Sequence, residues 1–515
     1  MDYHERLLGM ILDGTIRDRK ILQATKIALS KEYRLGRVPS NSETLARADP
    51  KTLALVEPLL RRKPVRTLSG VAVVAVMTSP ASCPHGKCSY CPGGVETGSP
   101  QSYTGKEPAA RRALANEFDP FRQVFSRLRQ LEAIGHPTGK VDLIIMGGTF
   151  TSRPVEYQTS FVQRCFDALN VGESAGLLEA HLKNESSAHR CIGMTIETRP
   201  DVFDDSKATF SMELGATRVE LGVQILDDDI LKGVNRGHGV EAVAQATKMA
   251  KDKGLKVCYH VMPGLPGSSP EKDVERFTMV FNDERFRPDM IKIYPTLVVK
   301  GTPLYDMWRG GAYSPYSTED AVRVIVEMKR IVPPYVRIQR IQRDIPVPLI
   351  EAGVDKGHIR QLVKERMRSE GYSCNCIRCR EVGLMGVESY ERDDMRLNAM
   401  SYQASGGTEH FISFEIPEIR ALVGYARLRL GTSSSGGWQA HLRELKVFGQ
   451  MVPIGDSGEG WQHRGFGKEL MAEAERVARE AGSGEILVTS GVGVRQYYSS
   501  LGYERSGVYM AKSLR

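Results

Sequence analysis

The sequence predicts an α/β protein: a partial TIM-type (βα)6 barrel, a second α/β domain after it, and a basic helical segment before it. Three observations carry this. Six short β-rich runs alternate with helical stretches between residues 71 and 296, the rhythm of parallel βα units. A new series of strands around one amphipathic helix begins near residue 395. Residues 1–66 place apolar side chains at helical spacing with basic residues between them. A length of 515 residues suits about three domains.

The elements follow in order. In residues 1–66, "LLGMILDG" and "ILQATKIALSKEYRLG" read as helices, and "VPSNSETLARADP" as a turn and a short helix. In residues 67–330 the strands are 71–77, 141–148, 191–197, 218–224, 256–264 and 290–296. Residues 331–394 read as a basic connector, with Arg337, Arg340 and Arg343 recurring every third position. In residues 395–515, "HFISFEI", "LVGYARLRL", "LRELKVFGQMVPI" and "EILVTSG" read as strands, "KELMAEAERVAREAG" as a helix, and 431–439 as a hairpin loop.

No apolar run approaches the roughly 18 residues of a membrane helix, and the charged N-terminus is no secretory signal. Residues 1–66 hold 14 Lys/Arg against 8 Asp/Glu, and residues 337–380 hold 10 against 5. Two basic segments on a near-neutral body point to a polyanion, RNA or DNA first. An odd count of 9 cysteines argues against a disulfide scaffold and for a reducing cytoplasm. Six of them form two tight clusters; Cys165, Cys191 and Cys258 read as core.

The first cluster, "CPHGKCSYCPGG", has Cys83, Cys88 and Cys91 in a C-x4-C-x2-C spacing with no fourth cysteine nearby. Three thiolates can hold three irons of a cubane and leave the fourth iron open. A structural zinc with a distant fourth ligand, such as His85, is the alternative. The position favours the cluster, because the trio follows the first strand, on the face where barrel active sites sit. Gly147 and Gly148 after the second strand, Glu197 and Arg199 at the third, and Gln224 at the fourth share that face; Lys292 joins them as a pocket or ion-pair candidate. Near the C-terminus, Gln462, Gly465 and Gly467 precede a helix, and glycines there bare backbone N–H groups for a pyrophosphate.

These motifs resemble known families. The cysteine trio and "MGGT" (146–149) resemble the radical SAM superfamily, although the common spacing there is one residue shorter. That implies a 4Fe–4S cluster whose open iron chelates S-adenosylmethionine, with Gly147 and Gly148 against its methionyl group. The Gln462–Gly467 loop, with "ILVTSG…RQYYSSLGYE" after it, resembles the GNAT acetyltransferases, which implies acetyl-CoA and a tyrosine near the thioester, Tyr497 or Tyr498. "IMGGTF", "HVMPGLPG", "IKIYPTLV", "CNCIRCREVG" and "GVGVRQYYSSLGYE", in this order, resemble the catalytic-subunit family of Elongator in its archaeal or bacterial form.

The resemblance implies that 5-carboxymethyluridine is made at the wobble position of tRNA, bound through its anticodon stem-loop. A SAM-derived 5′-deoxyadenosyl radical takes hydrogen from the acetyl methyl, the carbon radical adds to uridine C5, and thioester hydrolysis leaves the carboxymethyl group. It further implies acetyl-CoA contacts at Lys140, Glu444, Leu445, Lys446, Val447, Phe466, Gly467, Lys468 and Tyr498, and zinc on Cys374, Cys376 and Cys379. His358 is available as a fourth zinc ligand. An electron donor is required, and a homodimer or accessory subunits are possible partners. The alternative is a protein lysine acetyltransferase that uses the barrel as scaffold.

Overall fold

The computed structural model describes all residues except 64–65, 388–389, 433–437, 450, 453–460 and 463. Most of the loop expected over 431–439 therefore lies outside the described residues. Four helices, Tyr3–Leu12, Arg19–Glu32, Asn41–Leu45 and Pro50–Leu60, open the chain. Each starts where its sequence dictates: Asp2 and Ser40 form capping boxes with Glu5 and Glu43, and Asp18 and Asp49 cap the other two. They bury a small core of their own around Tyr3, Leu7, Leu29, Val56 and Leu60. Arg61 ties this unit to the next by donating from Nε to the Gly135 carbonyl at 2.6 Å.

The barrel is a curved parallel sheet of seven strands in sequential order: β1 Ala72–Met77, β2 Lys140–Met146, β3 Arg190–Thr198, β4 Arg218–Gln224, β5 Lys256–Val261, β6 Met290–Ile293 and β7 Arg337–Ile341. The first six stand where the alternation of strand and helix placed them. The seventh corrects the six-strand expectation. Its arginines read as a basic surface, but Val336 and Ile338 are buried, and the Arg337 guanidinium is buried against Glu381. A strand facing an ion-paired interior looks like a charged connector in one dimension.

Side chains alternate along each strand. Val141, Leu143, Val219, Leu221, Val257, Ile291 and Ile293 join the apolar core beneath the helices. The other face is charged. Arg218 on β4 pairs with Asp142 on β2 at 3.2 Å, and Lys292 on β6 lies 3.7 Å from Glu197 on β3. The first pair skips one strand and the second skips two, so both cross the inside of the curve.

The second domain is another seven-stranded sheet: β8 Arg396–Ala404, β9 Gly407–Ile416, β10 Ala421–Thr432, β11 Trp438–Val447, β12 Glu485–Val488, β13 Glu504–Ser506 and β14 Tyr509–Ser513. Its order is β8-β9-β10-β11-β12-β14-β13. β8, β13 and β14 add to the strands expected from sequence, and the strand expected to reach residue 454 ends at Val447. β11 and β12 are parallel but pair only over Ala440–Leu442 with Ile486–Val488, and then part. Helix Phe466–Glu480 packs across β9, β10 and β11.

This domain covers the N-terminal ends of the barrel strands, opposite the cysteine trio. Lys256, at the start of β5, donates to the Arg443 carbonyl at 3.4 Å. Arg443 forks onto Asp289 at 2.6 and 2.8 Å and also reaches Glu409 at 2.7 Å. The Arg427 Nη2 donates to the Tyr335 carbonyl at 2.7 Å. Gly491 and Gly493 press against the backbone at Ile192 and Arg190–Cys191, where a Cβ would come within 3 Å. No helix among the described residues is long and apolar enough to cross a membrane.

Candidate active site

The loop 83–94 has little regular structure and is held by side chains from elsewhere. The Cys83 N–H donates to Gln101 Oε1 at 3.1 Å, and Gln101 Nε2 donates to the Gly86 carbonyl at 2.6 Å. The Ser89 N–H donates to the Val234 carbonyl at 3.0 Å, and Asn235 Nδ2 donates to the Lys87 carbonyl at 2.9 Å. Gly93 has to be glycine, because a Cβ there would lie 2.2 Å from the Tyr103 carbonyl oxygen. So fixed, Cys83, Cys88 and Cys91 all face a cavity of about 120 Å³. The C-terminal ends of β2 to β7 line the rest of it through Met146, Gly148, Thr149, Glu197, Gln224, His260, Tyr294 and Arg340.

The cavity's electrostatics favour a thiolate at Cys88, while the hydrogen bond to Cys88 and burial push the Cys91 thiol up. Cys88 is held at about 3, far below an ordinary thiol, first by its hydrogen bond with Cys91 and then by His85 and Arg236. His85 Nε2 is 3.2 Å from Cys88 Sγ, and Arg236 Nη1 is 3.6 Å away. Metal-bound thiols are likewise deprotonated. The buried Gln224 Oε1 and His85 Nδ1 have no hydrogen-bond partner among the described residues, although such groups are nearly always paired. Gln224 also sits at φ 71°, a conformation that costs a non-glycine residue energy. Gly148 has open space where a Cβ would point, whereas a Cβ on Gly147 would strike Thr78 Oγ1 at 2.0 Å. A cradle with uncommitted polar atoms, spare room and three clustered thiols fits a cluster with a polar ligand on it.

Glu197 accepts from the Tyr103 hydroxyl at 3.0 Å. Lys292 is buried between Glu197 and Glu220, so it acts as an ion-pair residue behind the wall. Arg199 forks onto Asp201 at 3.0 Å and reaches His85. Sequence reasoning missed Tyr103, Glu220, Arg236 and His260. Arg236 belongs to no motif. Glu220 and His260 stand at alternate positions in apolar strands, and that misplaced polarity was the available signal.

A second group forms at the domain junction. Lys140 Nζ donates to Gln462 Oε1 at 3.0 Å, and Gln462 Nε2 donates to the Val447 carbonyl at 3.3 Å. Burial lowers Lys140 to about 8. Glu444, Leu445, Lys446 and Val447 occupy β11 beyond its pairing with β12, so this edge has parted from its neighbour. Glu444 is ion-paired with Arg427 at 2.9 Å. Gly465, in the left-handed region at φ 88°, starts the helix; Phe466 is buried and Lys468 is exposed. A Cβ on Gly467 would approach the Tyr497 hydroxyl at 2.8 Å. Tyr498 is buried edge-on to Tyr497, and burial pushes the Tyr497 hydroxyl up to about 12. A glycine-led helix N-terminus beside a parted strand pair bares backbone N–H groups that suit an anionic ligand.

The ligand atoms of Cys374, Cys376 and Cys379 lie within 4.8 Å of one another. A single zinc with bonds of about 2.3 Å sets its thiolates about 3.8 Å apart, so the trio suits one ion. No His, Asp or Glu joins the group among the described residues, and His358 is an exposed helix cap. Lys329 Nζ stands 3.6 Å from Cys379 Sγ. Arg380 is buried, donating to the Asn375 and Pro334 carbonyls.

A curved parallel sheet that gathers three cysteines at its C-terminal edge defines a radical SAM protein. Family models agree: the radical SAM superfamily matches residues 79–278, the Radical_SAM C-terminal domain 288–369, and the ELP3 N-terminal domain 3–68. The tRNA uridine(34) acetyltransferase of Methanocaldococcus infernus is 49% identical over 99% of this chain and 98% of its own length. Human Elongator complex protein 3 is 42% identical over 96% and 93%. The solved structure of the archaeal M. infernus Elp3 lacking residues 1–46 matches 87% of this chain and 100% of its own, at 45% identity and a TM-score of 0.77. The chain belongs to the Elongator protein 3 family.

Proposed function

We propose that this protein carboxymethylates C5 of the wobble uridine of tRNA, using acetyl-CoA and S-adenosylmethionine. The observation that carries the reading is the cavity in which Cys83, Cys88 and Cys91 meet the polar strand ends. The name of the M. infernus relative supports the substrate class. Cys83, Cys88 and Cys91 would hold a 4Fe–4S cluster, and Gly148, Glu197 and Gln224 would contact the S-adenosylmethionine on it. Together these cofactors would supply a hydrogen-abstracting 5′-deoxyadenosyl radical. With the small molecules bound, the strand ends would shield the reacting carbon from water.

The second domain would act as a GNAT-type acetyl-CoA site. Gly465 to Lys468 would offer backbone N–H groups to the pyrophosphate, β11 residues Glu444 to Val447 would line the pantetheine, and Lys140 would place a cation near the thioester. Tyr498, with Tyr497 packed on it, would stabilise or protonate the leaving sulfur. Cys374, Cys376 and Cys379 would hold zinc as a brace behind β7. The helices of residues 1–66 would bind the tRNA backbone.

The test is anaerobic reconstitution with iron and sulfide, then nucleoside mass spectrometry of tRNA incubated with S-adenosylmethionine and acetyl-CoA. The expected product is a C5-substituted uridine that requires both small molecules. Acetylation of protein lysines without any tRNA product would favour the scaffold alternative instead.

A further inference from the structure

We propose that His260 accepts the proton that uracil C5 must release, with Glu220 positioning its ring; this rests on the uridine reading above. When a carbon radical adds at C5, the new C–C bond forms and the C5–H bond must then break. The hydrogen leaves as a proton to His260 Nδ1. The unpaired electron left at C6 must go to a one-electron acceptor, a role that an oxidised iron–sulfur cluster held by Cys83, Cys88 and Cys91 would fill. The imidazolium then passes its proton to water.

The geometry singles out His260. It lines the same cavity as the three thiols. Its Nε2 is 2.7 Å from Glu220 Oε2. A carboxylate only accepts, so Nε2 carries the hydrogen and Nδ1 is left as an acceptor. Nδ1 has no protein partner among the described residues. The Tyr294 ring stands at 77° to the imidazole with centroids 5.4 Å apart, which fixes its plane. Glu220 is fully buried and stays ionised, because Lys292 pairs with it and Arg218 Nε stands 3.7 Å from Oε1.

Other bases on the wall are engaged. Glu197 takes the Tyr103 hydroxyl and faces Lys292. His85 Nε2 is shared between Cys88 and Arg199. Glu220, Cys258 and His260 also come close enough together to ligate an ion. The Lys292 ammonium already holds that carboxylate, so a second cation there would be repelled.

The experiment uses the full-length protein with tRNA carrying ordinary or 5-deuterated uridine. His260→Gln should slow product formation on the order of 100-fold, the usual contribution of a general base. It should also acquire a deuterium isotope effect that the wild type lacks, while 5′-deoxyadenosine still forms. In cluster-free protein, ring nitrogen-15 NMR should show His260 as the Nε2–H tautomer, and Glu220→Gln should disturb that preference. A wild-type rate in folded, cluster-loaded His260→Gln, or an Nδ1–H tautomer in the wild type, overturns the assignment. A wild type that forms no C5 product overturns the uridine reading and the assignment with it.

Discussion

Two groups of buried charge, nearly alike in composition, sit at opposite ends of the barrel. At the domain junction, Asp289 and Glu409 face Arg427, Arg429, Arg443 and Lys251. At the cavity, Glu197 and Glu220 face Lys292, His260 and Arg218. At the junction every carboxylate oxygen is met: Asp289 takes both arms of Arg443, and Glu409 takes Arg429 on one oxygen and Arg443 on the other. At the cavity, Glu220 Oε1 and Gln224 Oε1 are buried without a hydrogen bond among the described residues. A satisfied network fixes a structure, while unmet polar atoms beside an opening await a ligand. Residue type alone does not separate the two, and neither does a bare count, since Arg427 Nη1 at the junction also lacks a hydrogen bond among the described residues; what separates them is whether the oxygens are met.

The comparison can be broken from either end. The largest effect should come at the cavity, where Cys88→Ala should abolish 5′-deoxyadenosine formation in reconstituted protein while the melting temperature stays within a few degrees. Chromatography and calorimetry read the two quantities. A variant that still cleaves S-adenosylmethionine would detach the thiols from the chemistry.

At the junction the pattern should reverse. Arg443→Ala leaves Asp289 and Glu409 buried without their main partner, which should cost about 3–5 kcal/mol. Urea unfolding measures it. A loss under ~1 kcal/mol would mean that the junction is as tolerant as an exposed pair.

A smaller effect should appear between the two, at Lys140. Burial lowers it to about 8, against about 10.4 for a free lysine. The ammonium is therefore present below pH 8 and lost as pH rises through it. Acetyl-CoA affinity should weaken by about tenfold between pH 7 and pH 9.5, the worth of one charge-assisted contact. Lys140→Arg should remove that dependence in isothermal titration. An unchanged slope in the arginine variant would place the titrating group elsewhere.

Much of this architecture was legible in the sequence. The first six barrel strands announced themselves because their outward faces are strongly apolar and helices separate them. The cysteine trio was legible because its ligands lie within nine residues, and the glycine-led helix because its signals are local. β7 was hidden by its arginines, whose partners, such as Glu381 for Arg337, are distant in the chain. β8 was hidden because most of its side chains are exposed, which erases the alternation. The Lys140–Gln462 contact joins residues 322 positions apart, so no spacing rule could show it. Nor could sequence say that Lys292 is spent on an ion pair while His260 keeps a nitrogen free.

The most direct test of the claim that both ends of the barrel serve one reaction is to follow deuterium from acetyl-CoA labelled on its methyl group. With reconstituted protein, S-adenosylmethionine and tRNA, one deuterium should appear in 5′-deoxyadenosine and two in the new C5 substituent. Unlabelled 5′-deoxyadenosine, or a product that keeps all three deuteriums, would contradict the account.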